Sequence, residues 1–134
     1  MTDRRVRAAM AVLALVGAGI AAYLVYVHAR GIAPVCTSGG CEKVQSSSYS
    51  KVAGIPVATL GLVAYLTIFA TALVRAPAAA ALGLAVSLAG AAFAFYLLIV
   101  QIAVIEAICI WCVASDVVIG LLAVLAVARI RTAA

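Results

Sequence analysis

The sequence predicts an all-α integral membrane protein of a single domain, residues 1–134, built around four spanning helices. Three observations carry that prediction. Hydrophobic residues make up 69% of the chain and charged residues 10%, with a mean hydropathy of +1.32, whereas soluble domains carry about 25% charged residues. Four apolar runs, at about residues 6–27, 56–74, 78–100 and 107–128, each approach the ~20 residues that cross a ~30 Å hydrocarbon core as a helix. The basic side chains cluster near the ends of these runs, which is how charge flanks membrane spans.

The first run follows Arg4 and Arg5, has Arg7 in its first turn and ends beside His28, which reads as an interfacial anchor. It is longer than the ~7–15 residues of a signal-peptide core. It is therefore read as a retained span, because removing it would leave an odd number of helices and unbalance the flanking charge. Residues 28–55, with Pro34, form the long polar outer loop. The second and third runs open at Pro56 and Pro77, helix-start positions where a missing N–H costs nothing. The third run carries Gly83, Ser87, Gly90 and Ala94 at helical spacing, a stripe of small residues whose reading is structural, since it lets helices approach closely. A short turn over residues 101–106 leads to the fourth run, which is followed by Arg129 and Arg131. No run alternates polar and apolar residues as a membrane strand would, and a helix satisfies its backbone internally, as lipid requires.

Four spans place both ends of the chain on one side with the turn at Arg75. That side holds Arg4, Arg5, Arg7, Arg75, Arg129 and Arg131, against Arg30, Lys43 and Lys51 opposite. Basic residues mark the cytoplasmic side, so the long loop and the turn before the fourth helix face outward, where disulfides persist. The net charge of +5 is distributed over these flanks. It forms no patch for nucleic acid, and the partner it implies is the lipid bilayer.

The four cysteines form two pairs. Cys36-Thr37-Ser38-Gly39-Gly40-Cys41 lies in the polar loop, and its two glycines let the ends meet at the ~5.5 Å between Cα atoms that a disulfide needs. So small a ring gains little stability from the bond. Exchange therefore suits it better than stapling, although a static staple remains the alternative. The second pair is Cys109-Ile110-Trp111-Cys112, a C-x-x-C at the start of the last apolar run. If the helix begins near Glu106, the positive end of its dipole lowers the pKa of the Cys109 thiol, and Cys112 lies one turn deeper. A loop thiolate attacking Cys109 would leave Cys112 as a thiolate, facing the phase where the two-electron acceptor is a membrane quinone. A four-thiolate zinc site is the competing reading, and the C-x4-C spacing of the outer pair argues against it.

The order and spacing of several motifs resemble the bacterial branch of the vitamin K epoxide reductase family. The matching residues are Cys36 and Cys41, Val44-Gln45-Ser46-Ser47-Ser48-Tyr49-Ser50, Gly54-Ile55-Pro56 with Gly61 and Tyr65, and Cys109-Ile110-Trp111-Cys112 with Ser115. The resemblance implies a four-helix bundle around a quinone pocket, capped on its outer face by the loop and a short half-helix. It implies a thiol:quinone oxidoreductase, in which Cys36 exchanges with a thioredoxin-like (DsbA-like) extracytoplasmic protein, Cys41 passes electrons to Cys109, and Cys112 reduces the quinone. Ser47 would help order the cap. The thioredoxin-like domain fused to many bacterial members is missing from residues 1–134, so the partner is expected to be a separate protein. Where the animal enzymes place an Asn and a Tyr near the quinone carbonyl, this chain has Val57 and Asp116. Menaquinone or ubiquinone is thus the expected acceptor in place of vitamin K epoxide, with no metal.

Val57, Tyr65, Trp111, Ser115 and Asp116 are the candidate quinone contacts. Asp116, an acid at membrane depth, either protonates the quinone or bonds to neighbouring helices or water. Glu106 reads first as a helix cap and second as a proton acceptor. Tyr49, Tyr65, Tyr96 and Trp111 also suit packing or interfacial roles. A DsbB-type oxidase would run the same overall reaction, but it carries its C-x-x-C in the first outer loop and the wider pair in the second, the reverse of the order here.

Overall fold

The computed structural model describes residues 2–30, 51–52, 55–105 and 110–133. Its four helices are α1 (Asp3–Arg30), α2 (Val57–Leu73), α3 (Pro77–Ile99) and α4 (Ile110–Ala133). Two short strands, β1 (Lys51–Val52) and β2 (Ile55–Pro56), pair antiparallel just before α2, with Lys51 opposite Pro56 and Val52 opposite Ile55. The reading of residues 28–55 as loop gave no sign of this pair. Pro77 is the first residue of α3, where its missing N–H is one of the helix's unpaired donors in any case.

The turn expected at residues 101–106 is not a turn as far as Ile105. The chain continues from α3 as a π-helical segment, Val100–Ile105, and the N–H of Val100 bonds back to the carbonyls of Leu97 and Tyr96. The physical reason lies in the residues: Ile102, Ala103, Val104 and Ile105 include no glycine or proline to end a helix, so the ladder widens and does not break.

Each helix packs on two others. α1 lies against α2 and α4, and α3 lies against the same two, which makes a square bundle. Its ends fix the directions. Arg7 early in α1 and Arg129 late in α4 both reach the last turn of α2, whereas Tyr23 late in α1 stacks on Trp111 at the start of α4. Only Val74, Arg75 and Ala76 separate α2 from α3, a link that makes antiparallel neighbours. The bundle therefore runs up-down-up-down.

Apolar residues cover its outside as well as its inside. Leu15, Val63, Phe95 and Val124 are 52%, 59%, 65% and 66% exposed, and a helix that is apolar all round belongs in a core or a membrane. Three spans are long and apolar enough to cross a bilayer, Asp3–Val27, Pro77–Val104 and Ile110–Thr132, and α2 is a shorter apolar helix. This is a membrane protein.

Lipid is as apolar as leucine, so close packing holds such helices together. The buried stripe of α1 is Val6, Met10, Ala14, Ala18 and Ala21; it meets Tyr65, Ile68 and Ala72 of α2 and Val118, Ile119, Leu122 and Ala126 of α4. The small residues of α3 do what their spacing implies. A Cβ on Gly83 would sit 2.8 Å from Oγ1 of Thr71, and one on Gly90 would sit 3.0 Å from Cγ1 of Ile119.

Candidate functional site

A cavity of about 360 Å³ opens between the four helices, away from the end where the arginines cap α2. This size falls within the ~300–1,000 Å³ of small-molecule pockets. Its walls are mostly aliphatic: Ala21 and Leu24 from α1, Val57, Gly61 and Ala64 from α2, and Val86, Ala94 and Leu97 from α3. Five polar residues interrupt them. Cys112, Ser115 and Asp116 come from α4, Tyr65 from α2, and Gln101 from the π-helical segment. Ser115 and Asp116 lie three and four residues after Cys112, and Ile119 lies four and three after them, so a single face of α4 presents them all.

Tyr65 holds this wall in place. It is 2% exposed, and its hydroxyl donates to the backbone carbonyl of Ser115 at 2.8 Å and lies 2.7 Å from Oγ of the same residue. With the phenol proton on the carbonyl, the serine hydroxyl supplies the proton of the second bond. These bonds cross the diagonal of the bundle, from α2 to α4. The ring passes over the backbone of α1 at Gly17, where a Cβ would come within 2.6 Å of Cε1, Cδ1 and Cζ of Tyr65. Only glycine leaves that space. The sequence reading did not single out Gly17. The single signal for it is a glycine within the buried stripe, and three other helix glycines, Gly19, Gly61 and Gly120, have open space in its place.

Of the residues expected at a quinone site, Val57, Tyr65, Cys112, Ser115 and Asp116 all line this cavity. Trp111 is not among its lining residues. Its ring stacks on Tyr23, with centroids 4.7 Å apart and planes tilted by 41°. Because Trp111 directly precedes Cys112, a step of about 100° around the helix turns it toward α1. Cys36, Cys41, Ser47, Glu106 and Cys109 lie outside the described residues, and so does the half-helix expected in the cap. Gln101, 2% exposed, is a cavity residue that the sequence reading assigned to a turn.

The opposite end carries a second polar arrangement. Arg129, 2% exposed, donates from Nη1 to the carbonyl of Thr71 at 2.8 Å and from Nη2 to that of Val74 at 2.6 Å. Arg7 donates from Nε to the carbonyl of Ala72 at 2.9 Å, and its Nη1 is 3.7 Å from Oδ2 of Asp3. The last carbonyls of a helix lack internal partners and carry partial negative charge, so these two arginines cap α2. Sequence alone reads them simply as membrane-flanking charge.

The fold and the site define a membrane helical bundle that presents a cysteine to a largely apolar, ligand-sized cavity. The family model described as the vitamin K epoxide reductase family matches residues 8–127 of this chain. The chain belongs to that family, and the protein is a membrane oxidoreductase.

Proposed function

We propose that this protein is a thiol:quinone oxidoreductase that reoxidises a thioredoxin-like, DsbA-like extracytoplasmic partner and reduces a membrane quinone. The observation that carries the reading is Cys112 in the wall of the ~360 Å³ apolar cavity, in a chain of this family. A quinone ring is flat and apolar, with two carbonyl acceptors. A cavity walled by alanine, valine and leucine with a few polar groups suits it. Val57, Tyr65, Ser115 and Asp116 are the residues placed to surround it, and menaquinone or ubiquinone is the class of substrate. Trp111 contributes from behind, by fixing the start of α4 against Tyr23.

The electrons move by disulfide exchange. The partner's dithiol reduces the Cys36–Cys41 bond and leaves as a disulfide. The Cys41 thiolate attacks Cys109 of a Cys109–Cys112 bond, which forms Cys41–Cys109 and releases Cys112 as a thiolate. Cys36 then attacks Cys41, restoring the loop bond and leaving Cys109 and Cys112 reduced. That pair re-forms its own disulfide by giving two electrons to the quinone, which takes up two protons to become quinol. Asp116 is positioned to deliver one of them. By the family resemblance, Ser47 helps order the cap. The six arginines at Arg4, Arg5, Arg7, Arg75, Arg129 and Arg131 mark the cytoplasmic side, with both termini there and the cysteines facing outward.

The test is anaerobic turnover of purified protein with a reduced DsbA-like protein and a soluble menaquinone or ubiquinone analogue. Quinol and oxidised partner should form one to one, and serine at any of Cys36, Cys41, Cys109 or Cys112 should abolish quinol. Asp116→Asn should slow quinol formation by roughly 10²-fold, as loss of a positioned acid does, and an unchanged rate removes Asp116 from the mechanism. Stoichiometric bound zinc together with inert disulfides would overturn the whole reading.

A further inference from the structure

We propose that Gln101 is a substrate-binding residue whose carboxamide donates a hydrogen bond to a carbonyl oxygen of the quinone; this rests on the reading above. Three observations lead to it. First, Gln101 lines the cavity and is 2% exposed, while Ile102 and Val104 beside it are 58% and 56% exposed. The polar residue of this stretch is thus turned inward and the apolar ones outward, the placement that polar groups with a function take in membrane bundles.

Second, Gln101 belongs to the π-helical segment Val100–Ile105. Such segments are rare and collect at functional sites, because the wider turn redirects side chains that a regular helix would aim elsewhere. It follows directly on α3, whose Phe93, Ala94 and Leu97 form the neighbouring wall.

Third, a quinone accepts hydrogen bonds and donates none, so its site needs donors, and the other polar groups of this cavity are poor sources of them. The phenol proton of Tyr65 is engaged by the carbonyl of Ser115, and the Ser115 hydroxyl lies in its second bond with Tyr65. Asp116 is the acid that gives up its proton during the reaction, so it cannot donate throughout the cycle, and Cys112 is a weak donor that also takes part in the reaction. A glutamine carboxamide has two N–H donors and a carbonyl acceptor, so it keeps donor capacity even while bonded within the protein. It also remains neutral, which lets it stay at membrane depth without a counter-ion.

The experiment compares wild type with Gln101→Leu and Gln101→Met in quinone reduction and in infrared spectra of bound quinone labelled with ¹³C at its carbonyls. In wild type the bound carbonyl band should lie below that of free quinone. In both variants it should move back toward the free value, with quinone KM raised roughly tenfold or more, the size of one lost hydrogen bond of ~1.4 kcal/mol. Exchange between the reduced partner and the loop cysteines, a step in which quinone takes no part, should keep its rate. Unchanged band and KM in a folded variant overturn the role of Gln101 while wild type still makes quinol. Absence of quinol from wild type overturns the thiol:quinone reading itself and this proposal with it. If Gln101→Leu fails to fold, Gln101→Met decides by the same two readouts.

Discussion

The Tyr65 hydroxyl on α2 donates to the backbone carbonyl of Ser115 on α4 at 2.8 Å, a bond between diagonal helices one turn below Cys112. In a square bundle such a tie sets the rotation of α4, and with it the direction in which Cys112, Ser115 and Asp116 face. Tyr65→Phe keeps the ring and removes both hydrogen bonds. Unfolding in detergent should show a loss of about 1 kcal/mol, since single side-chain bonds in membrane bundles average ~0.6 and reach ~1.7. The quinone KM should rise with it, and a variant with wild-type stability and KM would contradict the tie.

Gly17 and Gly19 sit on the same helix in different surroundings. A Cβ at Gly17 would overlap the Tyr65 ring, whereas one at Gly19 meets nothing within 4 Å. Gly17→Ala should therefore destabilise the protein by about 1–3 kcal/mol, the cost of overpacking. Gly19→Ala should be neutral or stabilising by up to ~1 kcal/mol, through helix propensity. The coupling has its own check in a double-mutant cycle. In a Tyr65→Ala background, Gly17→Ala should lose its penalty, and an equal penalty in both backgrounds would disconnect the two residues.

At the other end of the bundle, Arg129→Met removes the charged donors to the buried carbonyl of Thr71, which also accepts from the Val74 N–H at 3.3 Å, and to the half-exposed Val74. We expect a loss of about 1.5–3 kcal/mol, in the range for bonds to charged groups. Arg129→Lys should recover part of it, because an ammonium lacks the planar fork that reaches two carbonyls at once. Thermal unfolding of the two variants orders them, and equal stability for Met and Lys would refute the capping role.

The helices were legible because long apolar runs bounded by arginine leave few alternatives in a bilayer. The residues that tune the packing were much less so. Which glycine of α1 must be glycine depends on the rotation that brings Tyr65 over Gly17, and uniform apolar runs carry no phase from which to read it. Gln101 reads as the first residue of a turn because it is polar; the π-helical continuation through Ile102 and Val104 leaves no mark in composition. Arg7 and Arg129 read as flanks because reaching back to carbonyls of α2 is a tertiary event. At the site, Val57, Tyr65, Ser115 and Asp116 were named from family resemblance and line one cavity with Cys112. Trp111 was grouped with them through its place between two cysteines, although consecutive helical residues face different directions.

The order of the thiol relay is tested most directly by mass spectrometry of the Cys112→Ala variant, isolated with its loop pair oxidised and with free thiols trapped by alkylation. The account predicts that the Cys109 thiolate of that variant exchanges with the Cys36–Cys41 bond, forming a Cys41–Cys109 disulfide and freeing the Cys36 thiol, and that reduced partner and quinone then give no quinol. In wild type, the cavity-facing Cys112 should be paired with Cys109 once quinone is supplied. A disulfide joining Cys112 to the loop in the Cys109→Ala variant, with quinol still produced, would contradict it.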